Sequence, residues 1–191
     1  MSRRVAVYGG SFNPPHVGHV LAVTYALSAL PVDEVLVVPC FVHPFSKELA
    51  PFEARLDLCE RAMGWLPGVT VSRVEQELGG ESRTLRTLEH LHAQHPDWAM
   101  RLLVGADILG DAPKWYRFER VVELAPLLVL GRRGHDEARA PSPLLPEVSS
   151  TEIRAALGQG DFAAVEPLLP GKVLARLREL GLYGASGVTT G

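Results

Sequence analysis

The stretch "VAVYGGSFNPPHVGHVLAV", residues 5–23, decides how the chain folds. A short apolar run, Val5 to Tyr8, meets three glycines, two prolines and two histidines before a second apolar run begins. The first run, starting at Arg4, reads as a buried strand. The second reads as a helix over Gly18 to Leu30, with Leu21, Tyr25 and Ala29 near helical spacing. The same alternation continues outward. Val35 to Val38 is a strand closed by Pro39, and Phe52 to Trp65 a helix with Leu56, Cys59 and Met63 on one face. Val69 to Val71 is a short strand, Thr84 to His95 a helix stopped by Pro96, and Met100 to Val104 a strand running into "GADIL". "PKWYRFERVVEL" reads as a helix entered near Pro113, and Leu127 to Leu130 as a further strand ending in "GRRG".

Short, apolar, β-branched strands alternating with helices predict an α/β fold, a doubly wound parallel sheet covered on both faces. Beyond a proline-rich loop at Pro141 to Pro146, "SSTEIRAAL" and Gly171 to Leu180 are helical with no intervening strand. They predict a helical C-terminal part. The expectation is one domain over residues 1–184 and a flexible tail over 185–191, because "GASGVTTG" has no apolar face to dock.

The chain has 191 residues, of which 47% are apolar and 21% charged, enough for a substantial core. A net charge of −3 and a pI near 6.2 speak against nucleic acid or a membrane surface as partner. An anionic ligand must therefore be held by local groups rather than by a global positive field. The two cysteines, Cys40 and Cys59, have no metal-binding spacing and read as reduced thiols. No apolar run approaches the roughly 18 residues of a membrane span, and the one behind "MSRR" is too short for a signal peptide. The expectation is a soluble cytoplasmic protein, with homo-oligomerisation left open.

In doubly wound sheets, ligands bind beyond the carboxyl ends of the strands. Gly9 to His19 lies at that edge. Glycine lets backbone approach a ligand closely, Pro14 and Pro15 fix the loop's path, and the helix that follows offers unpaired N–H groups suited to phosphate. His16 and His19, three residues apart, can both face one ligand. The spacing fits neither GxGxxG nor GxxxxGK[ST], so this is not a dinucleotide fingerprint or a P-loop.

"GGSFNPPHVGH" resembles the HxGH signature of the nucleotidyltransferases related to class I aminoacyl-tRNA synthetases, and most closely that of the bacterial nicotinate-nucleotide adenylyltransferases. "SSTEIR", Ser149 to Arg154, resembles that family's second motif. "RTLRTL", "VGADIL" and "KWYRFERV" between them resemble it too. The likeness spans about residues 3 to 183. Ser-Ser-Thr before Glu-Ile-Arg is also a plain helix cap. Capping alone does not account for an HxGH at the other end of the chain.

The resemblance implies a Rossmann-like nucleotidyltransferase that moves AMP from ATP to nicotinate mononucleotide, giving nicotinate adenine dinucleotide and pyrophosphate in NAD biosynthesis. It implies an ATP site from Gly9, Gly10, Ser11, Phe12, His16, Gly18, His19, Gly105, Asp107, Arg132, Ser149, Ser150, Thr151 and Arg154. His16 and His19 would contact the phosphates, with His19 foremost at the transition state. The helix N-terminus at Ser150 and the Arg154 fork would hold the β- and γ-phosphates. Mg2+ would come bound to phosphate oxygens, with no metal site of the protein's own. Lys47, Thr84, Trp115 and Tyr116 would border the acceptor, and Lys47 would join the catalytic set.

Several of these residues carry a second reading. Lys47 follows "HPFS" where the family has Pro-His-Lys, and is otherwise a solvated surface lysine. Asp107 accepts from a sugar hydroxyl or caps a helix. Trp115 and Tyr116 border the pyridine ring or pack an amphipathic helix. Either Arg132 or Arg133 reaches phosphate or finishes the loop after the fifth strand. Two departures bear on the acceptor. Asn13 stands where the family often has Asp, and Arg83 stands where Ser-Tyr-Thr is common. Nicotinamide mononucleotide or phosphopantetheine as acceptor, and a nucleotide-binding module without catalysis, remain the competing readings. A dehydrogenase finds no support in the loop.

Overall fold

The computed structural model describes residues 2–43, 48–106, 110, 115–131 and 145–185. Five strands form one parallel sheet: β1 (Arg3–Gly10), β2 (Glu34–Pro39), β3 (Val69–Val71), β4 (Trp98–Gly105) and β5 (Leu127–Leu130). Their order across the sheet is β3-β2-β1-β4-β5. The chain leaves β1 toward β2 and β3, then returns on the other side of β1 to place β4 and β5. The reversal lies between β1 and β4, paired from Arg3 with Trp98 to Val7 with Leu102. Parallel neighbours need crossovers, and here they are α1 (Val17–Ala29), α2 (Phe52–Cys59), α3 (Val74–Leu78), α4 (Thr84–Gln94) and α5 (Phe118–Leu124).

β2, "EVLVVP", is buried along its whole length, as a strand covered on both faces must be. Successive side chains feed opposite layers. Ala6, Val35, Val37 and Leu103 join the cluster under α1, α2 and the C-terminal helices. Val5, Val7, Leu36 and Leu102 join the cluster under α3, α4 and α5. The C-terminal helices are α6 (Ser150–Gly158), α7 (Phe162–Val165) and α8 (Gly171–Leu180). They cover the first face with Ile153, Leu157, Val173 and Leu177, none of which is exposed. Each such aliphatic side chain contributes about 1.5–3 kcal/mol on leaving water.

Four expectations change and one element is new. The buried face of α1 is Ala22, Val23 and Ala26, whereas Leu21 is 43% exposed and Ala29 faces solvent. Small side chains let the helix lie close on the sheet. The helix from Phe52 keeps Leu56, Cys59 and Met63 inside, but continues past Cys59 as a wide π-turn to Gly64. α3 has no expected counterpart. The helix in "PKWYRFERVVEL" begins only at Phe118, because Arg117 adopts a left-handed φ of 51° that a continuing helix cannot hold. Ala185, expected in the tail, is fully buried, while the rest of that tail lies outside the described residues. Among the described residues no helix is long and apolar enough to cross a membrane.

Candidate active site

β1 ends at two glycines with different surroundings. A Cβ at Gly10 would stand 3.0 Å from the Phe12 ring, whereas one at Gly9 would meet nothing within 4 Å. Phe12 is turned inward at a φ of 45° and is 1% exposed. Its ring meets Tyr8 at 5.5 Å and His19 at 4.9 Å, both edge to face. Gly10 thus makes room for Phe12, and Phe12 supports His19.

His16 is the N-cap of α1, not part of its first turn, and His19 is the third helical residue. The backbone N–H of His16 donates to Nδ1 of His19 at 3.1 Å. That bond occupies Nδ1 as an acceptor, so the proton of a neutral His19 ring sits on Nε2. The two imidazoles lie 3.7 Å apart at 34°. A Cβ at Gly18 would come within 3.1 Å of the His16 ring. The spacing of "HVGH" is therefore local geometry: a cap, a gap for the cap's ring, and a ring folded back onto the cap.

The second motif docks onto this loop. Ser149 caps α6, accepting from the Thr151 N–H at 3.2 Å. The Ser150 hydroxyl donates to the Pro14 carbonyl at 2.9 Å, across 136 positions of sequence. Arg154 donates to the Asn13 carbonyl at 2.8 Å and to the Thr151 hydroxyl at 3.4 Å. The N-terminus of α6 and that of α1 consequently face one cleft of about 1350 Å³ over the carboxyl ends of the strands. Gly9, Ser11, His16, His19, Gly105, Ser149 and Arg154 all line it.

Asn13 is the crossing point of the surrounding loops. Its Oδ1 accepts from the Ala50 N–H at 3.0 Å and from the Tyr183 hydroxyl, and its Nδ2 donates to the Glu48 carbonyl at 3.4 Å. Burial pushes the Tyr183 phenol up to about 12, against the pull of Arg154 and Arg55. The sequence signalled only turn propensity at Asn13, and gave no reason to single out Tyr183 or Arg55.

The far end of the cleft is built by α3, α4 and the residues before α5. Thr84 opens α4 and lines the cleft. Arg83 stands just ahead of that helix, pairs with Glu81 at 3.0 Å and lies 5.2 Å from the Tyr116 ring. Trp115 packs edge to face on Phe118 at 6.0 Å, and Tyr116 is 57% exposed. Both line the cleft from the segment ahead of α5, so they are not the packing face of a helix. Lys47, Asp107, Arg132 and Arg133 lie outside the described residues. Among the described residues no three His, Cys, Asp or Glu side chains are grouped to hold a metal ion.

Comparison with known proteins agrees with this architecture. The profile of the cytidylyltransferase-like family matches residues 7–156. The chain is 50% identical over 184 residues to a protein of Anaeromyxobacter dehalogenans (strain 2CP-1) named "Probable nicotinate-nucleotide adenylyltransferase", covering 95% of this chain and 97% of that one. A Myxococcus xanthus protein of the same name is 45% identical over 185 residues, with 95% of each chain covered. Among solved structures, the nicotinic acid mononucleotide adenylyltransferase of Plasmodium falciparum, complexed with NaAD, superposes with a TM-score of 0.81. It is 19% identical, covers 95% of this chain and 98% of its own, and supports the fold.

Proposed function

The chain belongs to the cytidylyltransferase-like family and, within it, to the nicotinate-nucleotide adenylyltransferases, and we propose from that premise that it transfers AMP from ATP to nicotinate mononucleotide, releasing pyrophosphate, as a step of NAD biosynthesis. The observation that carries the reading is the docking of α6 on the HVGH loop through Ser150 and Arg154. It brings two helix N-termini and two imidazoles around one cleft, which suits a polyphosphate.

The acceptor's phosphate is anionic before it reacts, so no general base is required. It attacks the α-phosphorus in line and pyrophosphate leaves. The chain's work is to position two anions and spread developing charge. His19 holds Nε2–H as a donor because its Nδ1 is occupied by the His16 N–H, and this donor is assigned to the α-phosphate in the transition state. His16 lies against it and contacts the same phosphates. The N–H groups at the start of α6, with Ser149, Ser150, Thr151 and Arg154, take the β- and γ-phosphates. Gly9 leaves open space where ATP passes closest to backbone. Thr84, Trp115 and Tyr116 border the acceptor at the far end of the cleft, and Lys47, Asp107 and Arg132 retain the roles the family resemblance implies. Mg2+ would arrive with ATP and would supply charge neutralisation at the phosphates. The reading places the enzyme in the cytoplasm, acting on small molecules.

The test is pyrophosphate release from ATP and Mg2+ with each acceptor in turn. Turnover with nicotinate mononucleotide at least tenfold above nicotinamide mononucleotide is the expected result. Turnover with phosphopantetheine alone, or with none of the three, overturns it.

A further inference from the structure

Arg55 has no part in the roles assigned above, yet it is among the largest fully buried side chains of the described residues, 1% exposed in the middle of α2. A buried arginine is ordinarily paired with a carboxylate. Among the described residues none pairs with it. Its N–H groups go instead to three backbone carbonyls: Nε to Ala50 at 2.9 Å, Nη1 to Ser11 at 2.9 Å and Nη2 to Phe41 at 3.5 Å. The Phe52 ring lies 5.5 Å from the guanidinium and meets Phe41 edge to face.

The three carbonyls belong to three separate segments: the loop after β1, the turn after β2 and the approach to α2. Ser11 is the residue before Phe12, whose ring rests against His19 at 4.9 Å. Ala50 is held twice, its carbonyl by Arg55 and its N–H by Asn13. A planar fork with several fixed donors can set three carbonyls at once, which an ammonium on a flexible stem cannot.

We propose that Arg55 is a positioning residue for the histidine pair: by fixing the Ser11 carbonyl against Ala50 and Phe41, it sets the Phe12 ring and through it the orientation of His19. The kinetic half of this inference rests on the adenylyl-transfer reading; the orientation of His19 does not.

The test uses Arg55→Lys and Arg55→Met in the full chain. Circular dichroism and thermal melting establish that each variant is folded at the assay temperature. Two readouts follow. The first is kcat and KM for ATP by pyrophosphate release. A displaced donor slows the chemical step more than it weakens binding, so kcat should fall by about 10–100-fold while KM for ATP stays within about threefold. The second is the 15N spectrum of the His19 ring at a pH above the ordinary histidine range. The wild type should show the Nε2–H tautomer, and the variants a mixture of both. A folded variant that keeps the His19 tautomer and wild-type kcat overturns the proposal, as does a loss of activity that follows only the melting temperature. Should Arg55→Met fail to fold, Arg55→Lys decides, because it retains the charge and one carbonyl contact. A wild type that releases no pyrophosphate overturns the adenylyl-transfer reading alone, and the tautomer comparison still decides the case of Arg55.

Discussion

Gly9 and Gly10 are neighbours whose substitution by alanine should fail in different ways. At Gly10 the new methyl must displace the Phe12 ring, which stands 3.0 Å from it. Overpacking of this kind costs about 1–3 kcal/mol, read as a lowered melting temperature. At Gly9 the methyl enters open cleft. Gly9→Ala should leave stability within about 0.5 kcal/mol and raise KM for ATP severalfold. Gly18→Ala is the sharper case. Alanine is favoured over glycine inside a helix by about 1 kcal/mol, but its Cβ would press on the His16 ring at 3.1 Å. The two effects oppose each other, so the variant should melt close to wild type while turnover drops. His19→Ala should retain the fold and lose about 10²–10³ in kcat, the usual cost of removing one preorganised donor. The pair His16 and His19 was legible in sequence because their spacing is local. The reason for it was not, since the ring placed against Gly18 is a matter of three dimensions.

At the scale of elements, the strands were readable because each is a short β-branched run buried on both sides, and β2 shows this along its whole length. What escaped reading has particular causes. α3 spans five residues, too few for a periodic signal. The buried face of α1 consists mostly of alanine, so hydrophobicity pointed to Leu21 instead. The start of α5 turns on the left-handed backbone of Arg117, which no residue type announces. α6 was read correctly from its cap, and its two serines have separable duties. Ser149→Ala removes the capping acceptor for Thr151 and should cost about 1 kcal/mol in thermal stability. Ser150→Ala leaves that cap intact but removes the bond to Pro14. It should loosen the seat of α6 on the histidine loop, with a fall in kcat/KM for ATP larger than its fall in stability would suggest.

At the scale of the molecule, the cleft is closed where the loop after β1 meets the segment after α8, and pH should reveal the join. The Tyr183 phenol, hydrogen-bonded to Asn13, keeps its proton up to about 12, while an ordinary tyrosine loses it near 10. The unfolded chain therefore releases a proton in the interval where the folded chain does not. Stability contributed by this group is complete below about pH 10 and falls as pH rises toward about 12. Urea melts across that interval should show a steeper alkaline decline in wild type than in Tyr183→Phe. The sequence placed the two motifs in one cleft through the family likeness, but Asn13, Tyr183 and Arg55, which hold the loops together, interact over distances in sequence that no local pattern encodes. That latch also fixes an order of events during synthesis. A ribosome that has delivered the sheet and both histidines has still made an unfinished polypeptide. Until the turn around Tyr183 has cleared the exit tunnel, Asn13 lacks one of its partners, so a message cut short just before that codon should yield a chain that collapses with a looser first loop and turns over more slowly.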